Sequence, residues 1–220
     1  MVSRLGIVAS VTILVVGCLA GSVRSQPPVG TPVYTVRADP RLCPSPLCGG
    51  YWVAVANGAR TRCADGSTRR QCYVAKAVDE HRHPLQTGVP GGALVRAALD
   101  SFDFDGHGML GMLVVAAVYA PAGMATLTGG FYRVVDTGIR CVRAPCFSYR
   151  ATQVNGSTRT TFSDLALEAA QATPTEVARA EAALRTKNGL LARGRFAAGL
   201  DGGRVFRPSR LFLRAPEPRA

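Results

Sequence analysis

The stretch 34–58 recurs ninety-eight residues further along, and a chain that repeats itself is constrained to fold as a repeated unit. Tyr34, Val36, Cys43, Cys48, Tyr51, Asn57 and Gly58 reappear without a gap as Tyr132, Val134, Cys141, Cys146, Tyr149, Asn155 and Gly156. A second echo follows at an offset of ninety-seven, with Gly92, Leu94 and Arg96 matching Gly189, Leu191 and Arg193. Ala120-Pro121 aligns with Ala215-Pro216 across a small gap. These matches predict two homologous, mainly β units of about ninety residues, 33–121 and 129–216, joined by a linker at 122–128 and followed by a tail at 217–220. The units form either one pseudo-symmetric sandwich or two beads, and the short connection favours close packing. Repetition speaks of architecture and not of activity.

The front of the chain speaks of compartment. Residues 1–25 read as an export signal: Arg4 is the only charge before an uncharged run from Leu5 to Gly17. That run is too short for a membrane span, which needs about 20 apolar residues. Two processing sites compete. Val15-Val16-Gly17-Cys18 resembles a lipobox, which would remove 1–17 and lipidate Cys18; Val23-Arg24-Ser25 resembles an ordinary signal-peptidase site. An uncleaved anchor is the plainer alternative. Residues 26–32, with Pro27, Pro28 and Gly30, read as a flexible leader.

Apart from Cys18, six cysteines remain: Cys43, Cys48, Cys63, Cys72, Cys141 and Cys146. An even set in an exported chain predicts three disulfides, although six cysteines admit many pairings. The repeat narrows the choice. Each copy holds its own C-x4-C pair, whereas Cys63 and Cys72 both lack a partner in the second copy, where Thr161 stands near the first position. Pairs Cys43–Cys48, Cys63–Cys72 and Cys141–Cys146 follow, each contributing roughly 2–3 kcal/mol by loop-closure entropy. A reduced zinc protein is the competing reading, disfavoured because no C-x2-C spacing occurs and the histidines lie apart from the cysteines.

The formal net charge is +12, carried almost wholly by arginine, since Lys76 and Lys187 are the only lysines. No aromatic–basic nucleic-acid motif accompanies it, so nucleic acid is not an expected partner. An anionic envelope surface, whether lipid or polymer, fits an exported cation better, and a merely solvated arginine surface is the plain alternative.

Short β segments dominate the rest. Tyr34 to Val36 and the alternating Tyr51 to Ala56 read as strands, with the sole tryptophan, Trp52, expected in the core. Thr61 to Val78 reads as a hairpin turning at Asp65-Gly66-Ser67, and Ala93 to Leu99 with Met109 to Tyr119 as a second around Asp105-Gly106. The apolar run Met109 to Ala120 suits a buried central strand. Where the first copy has the loop Asp79 to Gly91, the second carries the one expected helix. It is opened by Thr173, Pro174 and Glu176 as a capping box, shows Val177, Ala180 and Leu184 on one face, and is stopped at Asn188-Gly189.

The strings Cys43-Pro44-Ser45-Pro46-Leu47-Cys48-Gly49-Gly50-Tyr51-Trp52, Cys63-Ala64-Asp65-Gly66 with Cys72-Tyr73-Val74-Ala75, and Asp136-Thr137-Gly138-Ile139-Arg140-Cys141 with Ala144-Pro145-Cys146 resemble an uncharacterised domain family of exported proteins and lipoproteins from GC-rich bacteria. The resemblance spans nearly the whole mature chain. It implies export, and it implies no activity and no functional residues.

Candidate chemistry is sparse. His81, His83 and His107 are the only histidines and form a weak metal motif; a solvated loop is the plainer reading. Asp103 to Gly108 looks superficially like a calcium loop, but Ser101 and Met112 occupy the first and twelfth positions. No nucleophile elbow, zinc-protease motif or P-loop occurs. No catalytic residue can be named and no cofactor is expected. The preferred reading is a non-enzymatic binding or structural module of the envelope, with an anionic surface or a protein as its partner. The alternatives are a secreted hydrolase whose carboxylates converge only in space, and an inhibitor acting through a Cys-framed loop, which proline and the disulfide would pre-organise.

Overall fold

A computed structural model describes residues 30–215. The signal segment with its cleavage alternatives, Cys18, most of the leader, Pro216 and the tail lie outside the described residues. In chain order the strands are β1 (Val33–Ala38), β2 (Tyr51–Val55), β3 (Thr61–Arg62), β4 (Thr68–Arg69), β5 (Cys72–Val74), β6 (Lys76–Val78), β7 (Leu94–Phe104), β8 (Gly108–Ala122), β9 (Gly130–Asp136), β10 (Tyr149–Gln153), β11 (Arg159–Phe162), β12 (Asp164–Leu165), β13 (Leu190–Ala198) and β14 (Arg204–Arg214). One α-helix, α1 (Pro174–Leu184), lies between β12 and β13. The fold is mainly β, as the period-two patterning predicts.

Ten strands pair in the order β11-β10-β9-β13-β14-β8-β7-β1-β2-β5. Exchanging β1 with β9, β2 with β10, β5 with β11, β7 with β13 and β8 with β14 turns this list into its own reverse. The chain then bends once in each half, at Ala75 and at Ser163, and the next residues cross to the far strand. There β6 runs parallel to β8, with Lys76 opposite Met112, and β12 runs parallel to β14, with Asp164 opposite Val205. At the bends, Ala75 N–H donates to the Gly111 carbonyl at 2.7 Å and Ser163 N–H to the Arg204 carbonyl at 3.0 Å. Gly111 is needed there, because a Cβ would collide with the Tyr73 carbonyl. Each half thus closes as a five-stranded ring, β1-β2-β5/β6-β8-β7 and β9-β10-β11/β12-β14-β13, and closure satisfies strand edges that would otherwise be open.

Three apolar clusters follow from this arrangement. Val36, Val53, Val74, Val95 and Leu113 fill the first ring, and Val134, Phe162, Leu190, Phe206 and Leu211 fill the second. Between them, Val33, Ala56, Leu94 and Tyr119 meet Val154, Leu191 and Phe212. Antiparallel pairing of β8 with β14, from Tyr119 opposite Arg214 to Ala122 opposite Leu211, makes the two rings one continuous sheet.

A reciprocal exchange of asparagines fastens the seam. Asn57 donates to the Phe131 and Val154 carbonyls at 2.7 and 3.0 Å and accepts from Phe131 N–H at 2.8 Å. Asn155 donates to the Val33 and Ala56 carbonyls at 2.7 and 2.9 Å and accepts from Val33 N–H at 2.8 Å. Every partner of one asparagine is ninety-eight residues from the matching partner of the other. Both occupy the left-handed region, at φ 64° and 58°, which asparagine tolerates better than most residues.

Several sequence expectations need correction. Only 61–69 forms the first hairpin, with Thr61 opposite Arg69; Cys72 to Val78 instead pairs with β2 and β8, because Cys72, Val74, Ala77 and Val78 are buried within the first ring. Trp52 lies on the outer face, since Val53 is the residue of β2 that points inward. β8 is central but only half-buried, and Met109 at its start is 61% exposed. The capping box of α1 forms as predicted, but the helix ends at Leu184, before Asn188-Gly189, where Thr186 takes up the Ala183 carbonyl and the Gly189 N–H. Leu94 faces Tyr119 and Leu191 faces Phe212, so the structural counterpart of Ala120-Pro121 is Leu213-Arg214 rather than Ala215-Pro216.

Candidate functional site

Disulfides join Cys43 to Cys48, Cys63 to Cys72 and Cys141 to Cys146. The first and third close the loops that connect the first two strands of each ring, and the second ties the β3–β4 hairpin to β5. Three disulfides in one chain fit an oxidising compartment.

The alternation of β1, β2 and β5 puts Arg37, Trp52 and Tyr73 side by side on the outer face of the first ring, in register across three strands. The two rings meet edge to face, with centroids 5.5 Å apart. The Arg41 guanidinium lies 5.3 Å from the Trp52 centroid and 5.1 Å from that of Tyr73, within cation–π range. Asp39 holds it there. The Asp39 carboxylate, shielded from solvent, accepts from Arg41 Nε at 3.0 Å, from Arg41 N–H at 3.2 Å and from Trp52 Nε1 at 3.2 Å. The hydrogen bond from the Arg41 side chain is the main cause that lowers the Asp39 pKa to about 2, with Trp52 acting in the same direction.

This cluster docks the Cys43–Cys48 loop. Arg41 donates to the Leu47 carbonyl at 2.9 Å and the Tyr73 hydroxyl donates to the Pro46 carbonyl at 2.8 Å. Gly50 brings the end of the loop against the backbone of Val74 and Ala75, where a Cβ would not fit. The loop is therefore pinned by a disulfide and two side-chain bonds, while Leu42 beside it is fully exposed.

Trp52 and Tyr73 also line a groove of about 470 Å³. Its walls are the β3–β4 hairpin, through Asp65 and Arg69, the following Gln71 before β5, and the β7–β8 hairpin, through Ser101, Met109 and Leu110. Arg41 is not one of the walls. A larger cavity of about 1170 Å³ lies at the seam, between Arg96, Arg133 and Asn155. Its asparagine is already committed to the lock, and it is bordered by Gly30, at the limit of the described residues.

The second ring has no such face. Arg150 and Thr161 stand opposite each other where Trp52 and Tyr73 stand in the first, and Thr137 and Ile139 occupy the positions of Asp39 and Arg41. The register also places Thr161 as the counterpart of Tyr73 rather than of Cys63. The Cys141–Cys146 loop is instead braced by the half-buried Asp136, paired at 2.8 Å with the exposed Arg140, and that guanidinium is the main cause of the lowered Asp136 pKa.

The histidines are not gathered into a centre. The Asp79 carboxylate accepts from His81 N–H and His83 N–H at 2.8 Å each, which folds the loop around it, and His83 Nδ1 is 3.5 Å away with its ring largely exposed. His107 sits at the tip of the β7–β8 hairpin, where its N–H bonds the Phe104 carbonyl at 2.7 Å. Among the described residues no group of three or more His, Cys, Asp or Glu side chains is placed to hold a metal ion. No helix among them is long and apolar enough to cross a membrane. The Arg41–Asp39–Trp52 cluster escapes sequence reasoning; the one signal for it is that Asp39 and Arg41, just before the first repeated cysteine, have Thr137 and Ile139 in their places in the second copy.

The fold and this face define a disulfide-stapled double barrel with one differentiated outer surface. The chain belongs to the family described as a domain of unknown function, DUF6748, whose model matches residues 32–214. No curated protein and no solved structure matches it.

Proposed function

We propose that this is an exported, non-enzymatic binding module of the cell envelope, built from two homologous units and using the outer face of the first. The observation that carries this reading is the Arg41–Asp39–Trp52–Tyr73 cluster. It fixes a stapled loop against an aromatic pair at a groove, and a pre-organised surface loses less entropy on binding. The net charge of +12 makes anionic envelope material the natural partner. The export signal and a lipid anchor at Cys18 belong to the same proposal. Co-sedimentation of the mature protein with envelope polymers and with anionic vesicles at physiological salt tests it. Retention lost on Trp52→Ala supports the reading, and no retention by any fraction removes it.

A second reading rests on Leu42, fully exposed beside a loop that is closed by a disulfide and docked on the barrel. Such a loop suits an inhibitor that presents an apolar side chain. A broad protease panel left at full activity by excess protein ends that reading.

A further inference from the structure

We infer that the groove beside Trp52 and Tyr73 is a binding site for a segment of acidic polysaccharide. The inference rests on the binding-module reading and narrows it to a ligand class. The groove's floor and walls combine the two rings, the apolar Met109 and Leu110, and the polar Arg69 and Gln71. Sugar rings present an apolar C–H face that lies flat on an aromatic ring, while their hydroxyls need amide and guanidinium partners at the rim. Gln71 and Arg69 supply those partners. Arg69 is two-thirds exposed; its Nε donates to Ser67 Oγ at 3.1 Å, while its Nη2 has only a loose 3.8 Å link to Asp65, so the Nη1–Nη2 end of the guanidinium is open to a ligand carboxylate, which it matches in a bidentate way.

The volume, about 470 Å³, is in the range of small-ligand sites, and the groove runs between two hairpins rather than into the core, as a chain-like ligand requires. Connectivity points to the same face independently. Strands 1-2-3-5-4 of the first ring close as a Greek-key barrel with strands 3 and 5 parallel, and the second ring carries a helix between its third and fourth strands. Small five-stranded barrels of the OB type bind oligosaccharides and oligonucleotides across strands 2 and 3. Trp52 and Tyr73 stand on those two strands. Connectivity alone assigns no ligand; the residues and the oxidising environment implied by three disulfides favour a glycan over a nucleic acid.

Trp52 is the only tryptophan, so its fluorescence reports on this groove directly. The mature protein is titrated with uronate oligosaccharides, with a neutral glucan of equal length, with oligo-dT and with phosphatidylglycerol vesicles. The inference expects a saturable change in Trp52 emission with the uronate series, weakened about tenfold or more by the neutral glucan and by Arg69→Ala, an exposed change that leaves the barrel intact. Arg150→Ala on the matching face of the second ring leaves uronate affinity unchanged. Binding of oligo-dT or vesicles through Trp52 without uronate binding overturns the glycan assignment and leaves the binding-module reading standing. Uronate binding insensitive to Arg69→Ala also overturns it. Silence toward every probe, together with no retention by envelope fractions, overturns both.

Discussion

The two halves close through the same pairings and differ in what they put inside and outside those pairings. At matching registers the first half sets Val74, Leu113 and Leu99 where the second sets Phe162, Phe206 and Phe196. In the second half those rings pack with Tyr132 and Tyr149, at centroid distances of 5.0–5.9 Å. In the first half Tyr34 and Tyr51 keep the places of Tyr132 and Tyr149 against the core, but the other large rings lie outside it: Trp52 and Tyr73 in the docking cluster, Phe102 and Phe104 around the Lys76 ammonium. Strand closure constrains backbone hydrogen bonds and the inward alternation, and both copies obey it. Outward positions are free of that constraint. There the copies diverge, and there the candidate site lies.

The largest effect is expected in the cores. Phe162→Ala should cost about 3–5 kcal/mol in urea unfolding, and Val74→Ala at the matching position about half as much, because fewer buried atoms are lost. Equal losses would mean that the two interiors are not built differently. The asparagine lock sharpens the comparison in the opposite sense. Asn57→Ala and Asn155→Ala each remove three hydrogen bonds and leave a left-handed residue without its side chain, at a cost of about 2 kcal/mol. The two costs should agree closely, and a large inequality would break the pseudo-symmetry.

Much of this was legible in the sequence. The echo is a direct sequence match, and the C-x4-C pairs, the β7–β8 hairpin and the capping box at Thr173 are local signals that each appear in the structure. The bends at Ala75 and Ser163 were not legible, because a strand that changes partners at one residue leaves an uninterrupted β pattern. Asn57 and Asn155 stood out as identities, but their bonds cross 74 to 122 residues and no local signal marks them. Alternation in β2 shows two faces without saying which is buried, so a core Trp52 is expected from its size, whereas Val53 takes the inward place. Asp39 and Arg41 stand out only as differences from the second copy, because what they do depends on a ring thirteen residues from Asp39.

Smaller effects separate the two stapled loops. Cys43→Ser with Cys48→Ser, and Cys141→Ser with Cys146→Ser, should each lose about 2 kcal/mol by the loop-entropy argument. Only the first pair should alter Trp52 emission, through release of Arg41 and Tyr73 from the loop. An equal spectral change in both would show that the loops are not independent. The smallest effect is that of pH. The Asp39 pKa is lowered to about 2, so its contribution is full above the ordinary carboxylate range and is lost as pH falls through about 2. Trp52 emission in the folded protein should change with a midpoint near pH 2, where Asp39 itself takes up its proton, and Asp39→Asn should abolish the transition. Asp136, also lowered, has no tryptophan beside it and should be silent in this signal.

The central claim is that β8–β14 pairing and the two asparagines make one cooperative body of two barrels. Urea unfolding followed at once by Trp52 fluorescence, which sees the first barrel, and by the NMR amide signals of Val134 and Ala151, which see the second, tests it most directly. The account predicts one transition with a single midpoint in both signals. Two separated midpoints, with either barrel persisting after the other has unfolded, would contradict it.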